Sequence, residues 1–513
     1  MLFNSYVFLF VFLPAVLLAF WLIQRVCPGF SVLLLGLASL GFYGWWNSHY
    51  LILMCASIVF NFGVAHAMGE AAVAAQSGRR RRLLILGVTF NLTALGYFKY
   101  AGFLLGVAGS LSGADLLLDE IILPLGISFF TFTQIAFLVD TWRDGPERPD
   151  FSKYFLFVTF FPHLIAGPIY HHKEMLPQYA RLSRYRLNAQ DLAAGSTIFV
   201  LGLFKKTVFA DGIAPYSDHM FSAAAAGAAP GAVEAWTGTI AYALQIYFDF
   251  SGYSDMAIGL ARLFGIALPL NFASPYKAQS IIEFWRRWHM TLSRFLRDYL
   301  YIVLGGNRRG RLRTQVNIGV TMLLGGLWHG ANWTFVAWGA MHGVMLILNH
   351  AWRTMQRASG LPSRLATRHA SGIESRASAV LCTLLTFVCV LLAWVLFRAG
   401  SLTEAESVYR GMLGLSTTAP AGNLWQQLVG AGAHWCALLL AVVWLTPNTQ
   451  QILGRFSTAL NTYSEDRATM PEEVWWRPFT WHPGTSWAVV MAVVSVSTLV
   501  AMSGSSRFLY FQF

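Results

Sequence analysis

Charged side chains are scarce in this chain. Asp, Glu, Lys and Arg make up 12% of its 513 residues, where a soluble globular domain carries about 25%. Half of the usual solvated surface is therefore missing, which excludes a string of ordinary water-soluble domains despite the length. Cysteine is sparse as well. Cys27, Cys55, Cys382, Cys389 and Cys436 lie mostly in apolar runs, and no CxxC pair offers a zinc or dithiol centre. They read as small buried hydrophobes, with Cys382 and Cys389 on one helix face. The internal repeat that many secondary transporters carry is also lacking. The opening MLFNSYVFLFVFLPAVLLAFWLIQR has no basic leader and no small-residue cleavage site, so it reads as a retained span and not a signal peptide.

What is present in abundance is apolar sequence, at 56% hydrophobic and 15% aromatic. About 20 apolar residues cross a hydrocarbon core as a helix. Runs of that kind cover Ser5–Ile23, Phe30–Trp46, Tyr50–Met68, Leu83–Ala108, Leu116–Val139, Leu192–Ala210, Trp236–Leu260, Val316–Trp328, Trp333–Leu348, Ala379–Leu396, Ala431–Leu445 and Trp487–Met502. The expectation is an all-α integral membrane protein of about 11–12 transmembrane helices, forming a single polytopic domain over residues 1–513. The formal charge of +12 belongs to loops between these runs and not to a nucleic-acid surface. Arg79–Arg82, Lys173–Arg186, Arg262–Arg313 and Arg353–Arg376 would face the cytoplasm, and twelve crossings would leave both termini outside.

Two segments do not fit a simple crossing. Phe155–Tyr170 is apolar, but its HLIAGP core ends at Pro168 and basic loops flank it on both sides. It reads as a re-entrant segment, which survives at depth only inside protein or beside a water-filled cavity. In FWRRWHMTLSRFLRDYLYI, the residues Phe284, Trp285, Trp288, Leu292, Phe295, Leu296 and Tyr299 share an arc of roughly 120° at 100° per residue. Arg286, Arg287, Arg294, Arg297 and Asp298 fall opposite. That pattern predicts one amphipathic helix over Phe284–Ile302 along the membrane surface, with His289 at the edge of its apolar face.

Polar residues inside apolar segments mark candidate chemistry. His329 in LLGGLWHGANW is flanked by glycines that permit close approach. A neutral imidazole can take a proton from an attacking hydroxyl; the competing structural role is a hydrogen bond to a neighbouring helix. His342, thirteen residues on, would sit about 220° around a continuous helix, and without an Asp or Glu at ligand spacing no metal site is expected. Arg286, Arg287 and Arg294, with Arg308 following, form a basic patch. It could anchor anionic lipid headgroups or clasp the phosphates of a nucleotide-bearing donor. Asp249 and Asp255 in QIYFDFSGYSDMAIG, about 240° apart on a helix, read as structural ion pairs and not as one acid–base pair. His163 of FPHLIAGP reads as structural too.

These clusters occur in the order FLFVFLP, GYFKY, LPLGISFFTF, FFPHLIAGP, YFDFSGYSDMAIGL, EFWRRWHMTLSRFLRDYLYIVLGGNR, GGLWHGANWT and FLYFQF. Taken together they resemble the membrane-bound O-acyltransferase family, and within it the alginate-type branch that acetylates exported polysaccharides. The resemblance implies a bundle of tilted helices with re-entrant segments around a central tunnel. It matches the characteristic histidine of the family to His329 and the second characteristic position to His289. It further implies no bound cofactor, acetyl-CoA as cytosolic acetyl donor, and a place in the bacterial inner membrane among lipids. The acceptor would be a polysaccharide, reached directly or through periplasmic partner proteins. A polysaccharide transporter or flippase is the alternative, which the missing repeat and the WHG context disfavour.

Overall fold

The computed structural model describes residues 1–114, 121–144, 150–359, 373–416, 422–456, 458–460, 479–502 and 509. Among these it is helical almost throughout, with one isolated bridge between Pro269 and Leu460 and no strand. The helices are α1 (Phe8–Val26), α2 (Ser31–Gly44), α3 (Ser48–Val73), α4 (Ser77–Ser112), α5 (Ile127–Asp144), α6 (Phe151–Thr159), α7 (His172–Arg181), α8 (Ala189–Ala225) and α9 (Ala232–Leu263). They continue as α10 (Ile281–Arg287), α11 (Met290–Leu296), α12 (Arg311–His329), α13 (Trp333–Ala358), α14 (Ile373–Arg398), α15 (Leu402–Met412), α16 (Gly422–Leu445) and α17 (Thr485–Ala501).

Five of these helices carry stretches long and apolar enough to cross a membrane: α1, α3, α4, α8 and the Arg376–Arg398 part of α14. Shorter apolar helices cover Pro28–Gly44, Gly430–Leu445 and Thr485–Ala501. Their outward faces present bare hydrocarbon, for example Phe10, Leu22, Ile52, Val59, Leu104, Leu381 and Val496. Such a surface suits lipid and not water. The remaining expected spans, Trp236–Leu260, Val316–Trp328 and Trp333–Leu348, fall in α9, α12 and α13, with α5 covering part of Leu116–Val139. That last expectation needs correcting. Residues 116–120 lie outside the described residues, and the helix begins only at Ile127, immediately after Gly126 at φ +72°.

The centre of the bundle is α9, in which every residue from Ala241 to Ala261 is buried. A helix enclosed on all sides has no polar face to solvate, and here α8 lies against it backbone to backbone. A Cβ on Gly202 would stand 2.6 Å from the Gly252 carbonyl oxygen, and one on Gly259 would stand 2.6 Å from that of Gly195. Two glycine pairs seven residues apart thus set how closely the helices meet, as small residues do between membrane helices. The charges of α9 are neutralised in place: Asp249 accepts from Lys206 at 2.7 Å and Asp255 from Lys205 at 2.6 Å.

The expected re-entrant segment has the broken backbone its sequence implied. α6 stops at Phe160, a single helical turn covers Phe161–Leu164, and all residues from Val158 to Tyr170 are buried. Protein groups replace the missing water. The Ser39 hydroxyl accepts from the Phe161 amide, and the Phe157 carbonyl meets the Tyr170 hydroxyl at 3.0 Å and His163 Nε2 at 3.2 Å. His163 thus serves a helix end.

The expected single helix over Phe284–Ile302 is not observed. α10 ends at Arg287, α11 begins at Met290, and between them His289 adopts φ +42°, ψ +54°. A left-handed residue with a side chain costs roughly 1–2 kcal/mol, so neighbouring bonds must hold it. The Asn271 carbonyl accepts from the Met290 amide, and the Arg287 carbonyl from the Ala273 amide, both at 3.0 Å. The amphipathic arc is real, yet it is divided between two short helices.

Candidate active site

His329 is the last residue of α12, and the chain turns extended at Gly330 before α13 starts behind Asn332. Asn332 makes this break. Its Oδ1 accepts from the Thr334 amide as an N-cap, and its Nδ2 donates to the Gly400 carbonyl at 2.9 Å. The break matters for His342, because the expected separation of 220° presumed one continuous helix. With α12 and α13 folded back on each other, Trp338 packs against both rings, 5.2 Å from His329 and 4.8 Å from His342. Their approach is set where Gly326 faces the Phe335 carbonyl and Gly339 faces the Met322 carbonyl, positions with no room for a Cβ.

The last carbonyls of a helix lack intrahelical partners, and those of α12 are met from α4. Lys99 Nζ donates to the carbonyl oxygens of Trp328 at 2.5 Å and His329 at 3.2 Å, and reaches Ser128 Oγ at 3.4 Å. The Tyr100 hydroxyl donates to the Leu327 carbonyl at 3.0 Å. Both side chains project from the π-helical turn Gly96–Tyr100, a departure from α geometry that often marks functional sites. The GYFKY sequence carried a warning, since a lysine inside an apolar span is costly, but nothing in it pointed to carbonyls more than two hundred residues away.

His289 meets the same indole as His329. The Trp328 indole is 5.0 Å from the His329 ring and 6.2 Å from the His289 ring, measured between centroids. His289 Nδ1 lies 3.0 Å from Asn271 Oδ1, which also takes bonds from the Thr291 hydroxyl and amide. Oδ1 can only accept, so the proton of a neutral imidazole sits on Nδ1 and the lone pair on Nε2. Phe250 closes on this ring at 4.7 Å, and Phe397 on the His329 ring at 5.0 Å. The result is an aromatic enclosure with His289 and His329 buried in it, at 1% and 6% exposure. Such an enclosure keeps water out of the space around the two imidazoles. Asn271, Lys99 and the aromatic walls were not singled out in the sequence. His342 takes a hydrogen bond on Nδ1 from the Trp285 indole at 3.2 Å, a packing role.

The four arginines fare differently. Arg294 already grips Glu174 of α7 through two bonds of 2.6 and 2.9 Å, and Arg287 holds Glu283 at 2.6 Å. Arg286 and Arg308 are exposed. Asp249 and Asp255 sit in the ion pairs of α8 and α9, all five cysteines are free thiols, and among the described residues no three His, Cys, Asp or Glu side chains gather to hold a metal.

An all-helical, multi-pass membrane bundle with two imidazoles buried at helix breaks is the frame for transfer of a small group under cover from water. The chain belongs to the membrane-bound O-acyltransferase family, whose model matches residues 45–392, and it is an O-acyltransferase. It is 43% identical over 443 residues to the peptidoglycan O-acetyltransferase of Helicobacter pylori, covering 81% of this chain and 80% of that one. It is 38% identical over 528 residues to the probable alginate O-acetylase of Pseudomonas putida, across the whole of both. A teichoic acid D-alanyltransferase of Streptococcus thermophilus matches at 28% over 311 residues, 57% of this chain and 72% of that one.

Proposed function

We propose that this protein moves an acetyl group from a cytosolic thioester, acetyl-CoA, onto a hydroxyl destined for an exported polysaccharide, with His329 as general base. In the reaction the hydroxyl oxygen attacks the thioester carbonyl as His329 removes its proton, the carbon–sulfur bond breaks, and the departing thiolate takes a proton. His289, its lone pair directed by Asn271, assists from beside Trp328. The observation that carries this reading is the position of His329. α12 starts in the basic loop at Arg311 and runs 19 residues to His329, a rise of about 27 Å at 1.5 Å per residue. The base is thereby carried from the charged start of α12 into the buried aromatic enclosure beside Trp328 and His289, where a hydroxyl and a thioester can meet away from water.

The polymers in the relatives' names differ while acyl transfer is shared, so acylation of a polysaccharide is favoured over its transport, and the particular sugar belongs to the acceptor side. A periplasmic partner that relays the acetyl group through a serine fits as well as direct transfer. The bacterial inner membrane is the setting that gives both faces. The test is purified protein in proteoliposomes with radiolabelled acetyl-CoA. Transfer of label to an acceptor, or slow hydrolysis of the thioester, is expected; passage of unmodified glycan with no consumption of the thioester would overturn the reading.

The arginines supply a second test. Arg286→Ala and Arg308→Ala, which free no buried carboxylate, raise the donor KM and leave kcat unchanged, as lost uniform binding does. Arg294→Ala behaves instead like Glu174→Gln, lowering the thermal midpoint in detergent, because each strands half of a paired charge. Unchanged KM in both Arg286→Ala and Arg308→Ala would remove the donor phosphates from this patch and leave lipid anchoring.

A further inference from the structure

We propose that Lys99 is a positioning residue for the transfer reaction, setting the backbone of Trp328–His329 so that the His329 imidazole is held in register with His289. This inference rests on the reading of His329 as the base. Four observations carry it. The Lys99 ammonium has three protons and three acceptors: the carbonyl oxygens of Trp328 and His329 and the Ser128 hydroxyl. Its charge meets the end of α12, the negative pole of the helix dipole, through those carbonyls and, at 5.8 Å, through the face of the Trp328 ring. The dipeptide it grips carries two side chains of the centre, Trp328, whose ring meets both imidazoles, and His329 itself. Finally, Ser128 and the Phe132–Trp328 stack at 5.4 Å tie the same point to α5, so Lys99 joins α4, α5 and α12 at one place.

A helix end that needed only satisfied carbonyls could be capped by neutral donors, as Tyr100 does for Leu327. Placing a cation within an apolar span is costly, and a strong, multiply bonded anchor is what that cost maintains. A displacement of about 1 Å at a reacting group lowers rate by ~10²-fold.

Lys99→Met, Lys99→Gln and Lys99→Arg are prepared in the full-length protein, reconstituted as above, and assayed per folded molecule beside His329→Gln. Lys99→Met is expected to lower kcat by about 100-fold with the acetyl-CoA KM unchanged, and Lys99→Arg to recover part of that loss. A Lys99→Met protein with wild-type kcat would overturn the inference, as would equal damage in all three variants with KM rising alongside, the signature of general disruption. If Lys99→Met does not accumulate, Lys99→Gln decides on the same criterion of kcat falling at constant KM. Wild-type turnover by His329→Gln would sink the proposed function; slow His329→Gln beside normal Lys99→Met would sink this inference alone.

Discussion

His329→Gln inserts, folds and binds its donor, yet transfers acetyl groups about 10²–10⁴-fold more slowly than the wild type, the range that general-base catalysis supplies. A hydroxyl is a poor nucleophile until its proton is removed, and an amide keeps the polarity of the side chain without the basicity. The enclosing rings of Trp328, Trp338 and Phe397 remain in place, so the loss falls on kcat. In a cell the phenotype is a polymer made in normal amount but unacetylated. The control is His342→Gln. Its glutamine can still accept from Trp285, and turnover stays near wild type if His342 only packs. Two results would refute the assignment: rapid transfer by well-folded His329→Gln, or equal loss in the two variants.

The second large effect is on stability. Lys206 lies 3% exposed between Asp249 and Asp211, at 2.7 Å from each. Removing one partner of a buried ion pair typically costs about 3–5 kcal/mol, since the other charge is left in a medium that cannot solvate it. Lys206→Met should therefore lower the folded fraction sharply in a detergent unfolding assay. Adding Asp249→Asn to it removes the stranded charge, and the double variant regains a large part of the loss. A single variant as stable as wild type, or a double variant no better than the single, would show that the pair does not hold α8 to α9.

The lipid-facing helices were legible from sequence because hydropathy alone decides them. Helix ends were harder. Pro124 and Gly126 announced that α5 could not begin at Leu116, and Asn332 ahead of Trp-Thr is a recognisable N-cap that separates His329 from His342. Both signals were outweighed by unbroken apolar character. The left-handed turn at His289 had only a weak local signal. Histidine is among the side chains enriched at positive φ, but the periodicity over Phe284–Tyr299 suits one helix. Asn271, eighteen residues earlier, supplies the bonds that divide it. The arginines were visible as a patch, and Glu283 stands one helical turn before Arg287, but the partner of Arg294 is Glu174, which only the tertiary fold brings to it.

The enclosed position of α9 has a consequence for biogenesis. On the insertion scale of the translocon an Asp at mid-helix costs about 2.5–3.5 kcal/mol, and α9 carries Asp249 and Asp255 near its middle. It is poorly suited to partition into lipid on its own. Its counter-charges, Lys205 and Lys206, are synthesised earlier on α8 and would leave the ribosome about 2–9 s ahead of Asp249 at ordinary elongation rates. During that interval Asp211, five residues beyond Lys206, is already at hand to shield it. The two helices then enter the bilayer most cheaply as a hairpin, with Lys206 keeping Asp211 and gaining Asp249 as a second partner.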